Sequence, residues 1–240
     1  AALSAQNITE TTTLDNPQQM SDTVFSITPT VTGIQTLVTD RVASRINSQA
    51  YAQLGSLAQM AIQRKKDEDG LTVLDGATTI LSGAGTTLAS GVIAAAAYRI
   101  SSNATEPGNP PYRAVLHGFQ IKDLYDELTA AIGTAERADI SGITARVFEE
   151  GFRGKIAGVE IFEDGNITID SSTDDAKGGV FAQEAIVLVQ GRAPRTATVR
   201  REDIGGGATV VYLYDEYAYG ERSAGNWLFE IQSDAAVPTS

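Results

Sequence analysis

The clearest pattern in the sequence is a stripe of apolar residues that recurs every three or four positions after residue 40. Thr39 and Asp40 have side chains that cap helices, and the periodic pattern continues to about Lys66. Its apolar members are Val42, Ile46, Ala50, Leu54, Leu57, Ala61 and Ile62. A helix of ~27 residues would be about 40 Å long. We therefore predict a spine helix over 40–66 that is ended by the run Asp67–Gly70.

The first 38 residues have a strand-like pattern instead. The segment Asn7–Leu14 is rich in threonine, Asp15–Gln19 supplies turn residues, and β-branched residues return at high density over Thr23–Val38. This pattern predicts a long two-stranded ribbon. Such a ribbon is marginally stable on its own in water. If its own domain offers no surface to it, a neighbouring copy of the chain must supply one.

The rest of the chain predicts a mixture of helices and strands. Gly133 is a natural C-terminal stop for the second of the two further helices, and Asp164-Gly165 is a hairpin turn. The loop Ser101–Pro111, with three prolines, is the predicted subdomain boundary. The predicted helices are 88–100 and 119–132, and the predicted strands are 112–116, 159–161, 167–169, 185–189, 195–201, 208–214 and 227–231.

Composition and charge narrow the class of protein. The chain has 240 residues, 42% of them hydrophobic and 20% charged, which are values of a globular protein of one domain or two joined subdomains. The net charge of −12 argues against a main function in binding the phosphate groups of nucleic acids. The densest basic run, Arg64–Lys66, sits where the spine helix is predicted to end and would complement the helix dipole there. A local contact with nucleic acid is the alternative for this run.

The sequence offers little material for an active site. It has no cysteine, and its one histidine, His117, has no G-x-S-x-G nucleophile motif beside it. We interpret His117 as a hydrogen-bonded residue that fixes a loop. The segment Gly83–Thr87 lacks the lysine of a phosphate-binding loop. The alternating oxygens of Asp164, Asn166, Thr168 and Asp170 lack the glycine and the glutamate of a calcium loop. We expect no catalytic, cofactor-binding or metal-binding residues.

A cluster of tyrosines lies near the C-terminus. Its members are Tyr212, Tyr214, Tyr217 and Tyr219. Their spacing of two, broken once, predicts that one face of a strand carries tyrosines, which suits an interface or a core. Stacking of single-stranded nucleic acid or of sugar on this strand is the alternative.

The order of these elements, together with two short segments, resembles a known family. The segment Ala114–Gln120, which opens a helix, resembles the strand V-L-H-P-x-Q of the major capsid proteins of tailed bacteriophages, with Gly118 in place of the proline. The segment Gly154–Phe162 resembles their G-x-I-A-G-V-x-I strand. These proteins share the Hong Kong 97-like capsid fold, which is of the α+β class.

The resemblance implies a domain organisation. Residues 1–38 would be the E-loop, an extended hairpin that lies over a neighbouring subunit, with the family's N-terminal arm missing from this sequence. Residues 39–112 and 192–240 would form the P-domain around the spine helix, and 113–191 a mixed α/β A-domain. The implied E-loop contacts with another subunit are Thr11, Leu14, Pro17, Met20, Phe25 and Ile27. The implied packing residues of the spine helix are Val42, Ile46, Leu54, Leu57 and Ile62.

The resemblance also implies a function without enzymatic activity or cofactor. We expect a major capsid protein that assembles into hexamers and pentamers of an icosahedral head, with portal, decoration and scaffolding proteins as further partners. The head would enclose double-stranded DNA without sequence-specific binding, would form in the host cytoplasm and would not involve a membrane. Residues 1–40 contain no lysine, so we expect no covalent cross-link from the E-loop.

Three rival functions remain open at the level of the sequence. The first is the shell protein of an encapsulin-type compartment, which has the same fold and houses an enzyme cargo. The second is a receptor- or carbohydrate-binding domain that uses the tyrosine strand. The third is a hydrolase, which the single histidine and the absence of cysteine make the weakest of the three.

Overall fold

Two β-sheets and one long helix form the framework of the computed structural model, which describes residues 25–45, 49–133 and 154–238. In chain order the elements are β1 (Thr30–Thr39), α1 (Asp40–Ala43), α2 (Gln49–Asp75), β2 (Ile80–Ser82), α3 (Ser90–Ser101), β3 (Tyr112–Leu116), α4 (Gly118–Gly133), β4 (Lys155–Ile156), β5 (Val159–Glu163), β6 (Asp175–Ala182), β7 (Ile186–Arg201), β8 (Ala208–Glu221) and β9 (Leu228–Asp234). The predicted helices 88–100 and 119–132 and the predicted strand 112–116 correspond to α3, α4 and β3.

The three-stranded sheet has the order β1-β8-β7 and is antiparallel throughout. Strand β1 pairs with β8 without interruption, from Thr30 opposite Tyr217 to Thr39 opposite Ala208. The sequence predicted a ribbon with no partner in its own domain, and this prediction is wrong for residues 30–39. Their β-branched side chains suit a sheet, and a long strand of the same chain completes it. The other predicted strand of the ribbon, Asn7–Leu14, lies outside the described residues.

Helix α2 differs from the predicted spine helix at both ends. The single turn α1 is separate from it, and α2 continues through Asp67–Gly70 to Asp75, so the prediction that this run ends the helix is wrong. The acidic residues are accommodated because Glu68 and Asp69 pair with the basic side chains one turn earlier, at 3.0 and 2.6 Å. Gly70 lies under the ring of Tyr219 on β8, where the helix still has a surface to pack against.

One side of α2 packs on the three-stranded sheet. Leu54 is half-buried against the sheet, and Ile62 is buried. Val42 and Leu57 are 44% and 62% exposed, so they do not pack within this chain, and their role as packing residues of the spine helix stays a prediction. A helix that lies on one face of a narrow sheet buries a single side only, and Leu57 points away from the sheet. Ile46 lies outside the described residues.

The six-stranded sheet has the order β2-β9-β6-β3-β5-β4 and carries the main hydrophobic core together with α3 and α4. It draws β2 and β9 from segments that were assigned to the P-domain and the other four strands from the segment assigned to the A-domain. Strand β7 runs across the predicted boundary at residue 191. The predicted boundaries therefore do not separate the two sheets. The reason is that β9 returns late in the chain to pair between β2 and β6, a long-range pairing that local sequence does not reveal.

The predicted hairpin around Asp164-Gly165 is also wrong. Strand β5 pairs in parallel with β3 and antiparallel with β4, while Ile169 bridges to Ala176. The backbone N–H of Asp164 donates to the carbonyl of Leu116 at 3.0 Å, which keeps the chain beside β3 rather than turning it back. Ile167 is buried near Ala176 instead of opposite Ile161.

Among the helices that the structure describes, none has the length and apolarity needed to cross a membrane.

Candidate assembly surface

Helix α2 is fixed to β8 by a group of polar contacts that are largely buried. Lys66 Nζ lies 2.5 Å from Asp215 Oδ2, and the Asp215 side chain is almost fully buried. The same ammonium group lies 5.0 Å from the centre of the Tyr217 ring. The Tyr217 hydroxyl donates to Asp69 at 2.8 Å. Burial, and next the hydrogen bond to Asp69, raise the pKa of Tyr217 to about 12, so this phenol remains a donor at physiological pH. Helix and sheet therefore form one rigid platform.

The face of the three-stranded sheet opposite α2, called the open face below, carries exposed apolar and aromatic side chains. The strand register places Val31 and Leu37 of β1 on this face, and they are 67% and 43% exposed. Val199 of β7 lies on the same face and is exposed. Apolar side chains repeated on one side of a rigid sheet are typical of a surface that another protein covers.

Tyr214 is at the centre of the open face. Its ring lies over Gly33 of β1, where a methyl group would be only 2.8 Å from the ring. The Tyr212 ring stacks beside it with 5.8 Å between centroids, and the Arg195 guanidinium lies 5.2 Å from the Tyr214 centroid. The sheet thus presents two parallel aromatic rings with a cation over one of them.

The sequence predicted that the four tyrosines lie on one face of a strand, and this prediction is wrong. Tyr217 and Tyr219 face α2, whereas Tyr212 and Tyr214 lie on the open face. The reason is that Tyr217 comes three positions after Tyr214 along the strand, and an odd offset places a side chain on the opposite face. Packing against α2 and exposure on the open face are thus both present in one strand.

A second exposed apolar surface lies on the outer side of α2. Leu57 and Met60 are each 62% exposed, and they are three residues apart, which places them on adjacent positions of one helix side. Ala58 and Ile62, on the inner side, are buried against the sheet. The periodic pattern of the sequence included Leu57, but it did not distinguish the inner side of the helix from the outer.

The structure reaches only two of the predicted E-loop contacts. Thr11, Leu14, Pro17 and Met20 lie outside the described residues. Phe25 is exposed. Ile27 lies against Gly220 of β8, where a methyl group on the glycine would be 2.5 Å from Ile27 Cδ1. Ile27 therefore packs within its own chain.

His117 has the local role that was inferred for it. Its ring atom Nδ1 accepts a hydrogen bond from the backbone N–H of Phe119 at 3.2 Å. The backbone N–H of His117 donates to Gln120 Oε1 at 3.0 Å. Burial lowers the pKa of His117, against the opposing effect of Glu163 and Asp164. Both hydrogen bonds fix the first turn of α4, and Gln120 in turn donates to Ser233 on β9 at 2.7 Å.

A groove of about 610 Å³ runs between α2 and the segment 166–177. Its charged side chains are engaged with one another, including Lys65 with Asp69 at 2.6 Å and Lys177 with Asp75 at 2.5 Å. Asp170 accepts both the N–H and the hydroxyl of Ser172, which lowers its pKa. In the described parts of the chain, no three His, Cys, Asp or Glu side chains are grouped to hold a metal ion.

Comparison with known proteins identifies the fold. No family model matches the sequence, and no curated protein is similar to it in sequence. The capsid structure of cyanophage P-SCSP1u matches 98% of this chain and 81% of its own chain, with 12% identity and a TM-score of 0.67. A chain of the cyanophage Pam1 capsid asymmetric unit matches 99% of this chain and 83% of its own length, with 11% identity and a TM-score of 0.67.

The SrpI encapsulin of Synechococcus elongatus PCC 7942 matches 88% of this chain and 76% of its own, with 10% identity and a TM-score of 0.62. Phage capsids and an encapsulin therefore share one arrangement with this chain, although their sequences are only 10–12% identical to it. The resemblance noted in the sequence is confirmed at the level of the fold: this chain has the Hong Kong 97-like fold of phage capsid proteins.

Proposed function

We propose that this chain is the major capsid protein of a tailed bacteriophage, a structural subunit rather than an enzyme. The observation that carries the proposal is the match of 98% of the chain to a phage capsid subunit over 81% of that subunit's length. A match over nearly the whole chain leaves no separate described domain in which another activity would be expected. The protein would be located in the virion, as the shell around double-stranded DNA.

The resemblance to phage capsid structures supports an assignment of the parts of the subunit. We propose that α2 is the spine and that α2 and the three-stranded sheet form the P-domain. The six-stranded sheet, with α3 and α4, would form most of the A-domain. Residues before β1 would form the E-loop that lies over a neighbouring subunit. This keeps the E-loop predicted from the sequence but leaves out residues 30–38, which belong to β1.

Two surfaces are proposed as contacts between subunits, namely the open face of the sheet and the outer side of α2. Both lie on the rigid platform that Lys66, Asp215 and Tyr217 hold together, so both are present in fixed positions before assembly. When a neighbour buries exposed apolar side chains such as Leu57 and Met60, the free energy of the assembly falls by about 25 cal/mol for each Å² of apolar surface that is buried. A shell of many copies needs several modest contacts of this kind on each subunit.

The charge of the chain supports a container for DNA rather than a DNA-binding protein. A net charge of −12 would not trap a densely packed genome on the inner wall. Tight and salt-sensitive binding of duplex DNA by purified subunits would contradict this part of the proposal.

An encapsulin-type compartment is the second candidate, because the SrpI encapsulin shares the fold. Both need a closed shell, so the fold of the subunit is the same in the two cases and does not distinguish them. The gene neighbourhood does: terminase and portal genes beside this gene support the phage head, and an adjacent cargo-enzyme gene supports the compartment.

The proposal is tested by expressing the full chain and measuring particle size by light scattering and negative-stain microscopy. Hollow, regular particles are expected for the wild type. The variant with Leu57→Glu and Met60→Glu should stay as small oligomers with an unchanged circular dichroism spectrum, because it removes the two apolar side chains that a neighbour would bury and puts charge in their place. Gln53→Glu, a charge on the same side without loss of an apolar contact, is the matched control and should assemble.

A wild type that remains monomeric or trimeric at high concentration would contradict the proposal and favour a receptor- or carbohydrate-binding domain. Denaturing gels of assembled particles should show single chains and no ladder, because residues 1–40 contain no lysine.

A further inference from the structure

Helix α2 is the element that connects the two sheets. Its polar contacts with β8 make it part of the platform. Further along the helix, Leu71 packs against the buried cluster around Ile167, and Leu74 lies in a buried cluster with Leu228 of β9. The end of α2 thus rests on the six-stranded sheet, and the way this end is held decides how the platform sits relative to that sheet.

Two polar ties hold this part of α2, and they lie eight residues apart. At the end of the helix, Asp75 pairs with Lys177 of β6 at 2.5 Å. About two turns earlier, Asp67 Oδ2 accepts a hydrogen bond from the Asn166 side chain at 2.6 Å. The groove between α2 and the segment 166–177 runs along the same stretch, so the helix has open space beside it. The first tie joins opposite charges, whereas the second joins a carboxylate to a neutral amide.

A second carboxylate meets the first at Asn166. Asp164 Oδ1 accepts the backbone N–H of Asn166 at 2.8 Å, while the side chain of the same asparagine donates to Asp67. The two carboxyl groups come close enough for a hydrogen bond between them, which requires one of them to carry a proton. Burial raises the pKa of Asp164, and the negative charge of Asp67 raises it further, against the hydrogen bond from Asn166. Two carboxylates at short range therefore favour a state in which they share one proton.

The other titratable groups around this pair are His117, Glu163 and Tyr219. Burial lowers the pKa of His117, and its Nδ1 already accepts a backbone hydrogen bond, so the ring is neutral at pH 7. Burial raises the pKa of Tyr219, and the charge of Asp67 raises it further, so this phenol is also neutral. Glu163 is an exposed carboxylate on the neighbouring residue. The basic residues one turn earlier on α2 are already paired with carboxylates of the helix, so these groups bring no free positive charge to the pair.

We propose that Asp67, Asp164 and Asn166 form a pH-sensitive latch between the platform and the six-stranded sheet. When the pair holds one proton, a hydrogen bond joins the two carboxyl groups and the latch is closed. When both carboxylates are ionised, they repel each other and Asn166 alone holds them, so the latch is weakened. The tie between Asp75 and Lys177 needs no carboxyl proton and remains as the pivot. The inference goes beyond the proposed function and does not depend on it.

The direction of the effect follows from the proton that the closed latch holds. In a state in which α2 has moved away, Asp164 would have its ordinary pKa of 3.8, and in the closed state its pKa is higher. The contribution of the latch is therefore complete below pH 3.8 and is lost as the pH rises through the raised pKa. Glu230 lies 3.9 Å from Lys177 at the pivot, and burial raises its pKa as well, so the experiment includes a variant that separates the two ends.

The distance between two spin labels tests the latch, because the natural chain has no cysteine to interfere. The full chain carries Thr198→Cys on β7 of the platform and Ala95→Cys on α3, which packs on the six-stranded sheet, and both positions are exposed. It is diluted into excess unlabelled protein, so that only distances within one chain are measured. Pulsed electron paramagnetic resonance then gives the distance distribution at pH 4 and at pH 7. We expect a narrow distribution at pH 4 and a broader one at pH 7.

Asp164→Asn is the test variant, because its amide can donate to Asp67 without a proton that titrates. Its distribution should stay narrow at both pH values. Glu163→Gln removes one negative charge from the neighbouring residue and is the matched control, which should keep the pH dependence of the wild type. Glu230→Gln removes the titration at the pivot end and should keep that pH dependence as well.

Three results would overturn the proposal. The first is a wild type with the same distribution at pH 4 and pH 7, and the second is an Asp164→Asn variant with the pH dependence of the wild type. The third is loss of the pH dependence in Glu163→Gln or Glu230→Gln, which would place the titration at those groups. Circular dichroism at both pH values checks that each variant is folded. Asp67→Asn supplies the amide from α2 instead, makes the same prediction, and replaces Asp164→Asn if that variant does not fold.

The latch and the capsid function are tested separately. A pH-dependent distance that Asp164→Asn abolishes supports the latch whether or not the protein forms particles. Particles whose labelled subunits show no pH dependence would overturn the latch and leave the capsid function standing.

Discussion

Lys66 and Asp215 show how single residues fix the long helix to the sheet. Asp215 is almost fully buried, and the nearby ammonium group of Lys66 at 2.5 Å compensates its charge. A buried ion pair adds little net stability relative to an apolar pair, but removal of one partner leaves an uncompensated charge in the interior. The contact therefore sets the position of α2 on β8 more than it raises the free energy of unfolding.

Lys66→Met should lower the free energy of unfolding of the unassembled subunit by about 3 kcal/mol, because it leaves Asp215 buried without its cation. Lys65→Met is the matched control one residue away. It removes an exposed pair with Asp69 and should cost much less than Lys66→Met, because solvent screens the interaction between exposed charges. Urea unfolding followed by circular dichroism measures both, and equal losses in the two variants would contradict the role given to Lys66.

Glu230 makes stability depend on pH. Burial raises its pKa above the ordinary value of 4.5, while Lys177, 3.9 Å away, partly opposes the shift. The folded chain thus holds this proton more tightly than the unfolded chain, so stability falls as the pH rises from 4.5 through the raised pKa.

Glu230→Gln should therefore be more stable than the wild type at pH 7 and equally stable at pH 4. Glu160→Gln is the control at a carboxylate that is more exposed, whose pKa is lowered by the hydrogen bond from Lys155. It should not gain stability at pH 7. Thermal unfolding across this pH range is the measurement, and a Glu230→Gln variant that is less stable at pH 7 would contradict the assignment.

At the scale of elements, the C-terminal half of α2 is where sequence and structure differ most usefully. An acidic run followed by glycine is a common helix end, yet Gly70 is inside the helix and faces the Tyr219 ring. Tertiary packing against β8 extends the helix beyond the point at which local sequence would end it.

Gly70→Ala should therefore stabilise the subunit by about 0.5–1 kcal/mol, because alanine favours a helix interior. The added methyl group would lie 3.7 Å from the Tyr219 ring, an ordinary contact. Gly55→Ala, at an open position in the same helix, should give a similar gain and serves as the control. A loss of stability at Gly70 alone would mean that the helix ends there, as the sequence predicted.

Local elements were predictable from the sequence, whereas long-range pairings were not. Helices α3 and α4 and strand β3 have periodic patterns and clear ends, so their positions were close to those predicted. Three pairings join residues far apart in the chain: β1 with β8, β9 with β6, and β5 with β3 in place of the predicted hairpin. The sequence places Leu57 in the apolar stripe of the helix, but only the structure shows that its side chain lies on the outer side of α2.

At the scale of the whole molecule, the chain combines a closed core with surfaces that are left open. The core between the six-stranded sheet and helices α3 and α4 is well buried. The platform of α2 and the three-stranded sheet instead exposes apolar side chains on both its outer side and its open face. A subunit of this kind is suited to bury those surfaces against other copies, which is how the fold and the proposed shell are connected.

Cryo-electron microscopy of the purified full-length protein tests this connection most directly. We expect a closed icosahedral shell in which Leu57 and Met60 of each subunit are covered by a neighbour and residues 1–24 extend onto another copy. A stable monomer in solution, with residues 1–24 folded onto their own chain and the outer side of α2 in solvent, would contradict it.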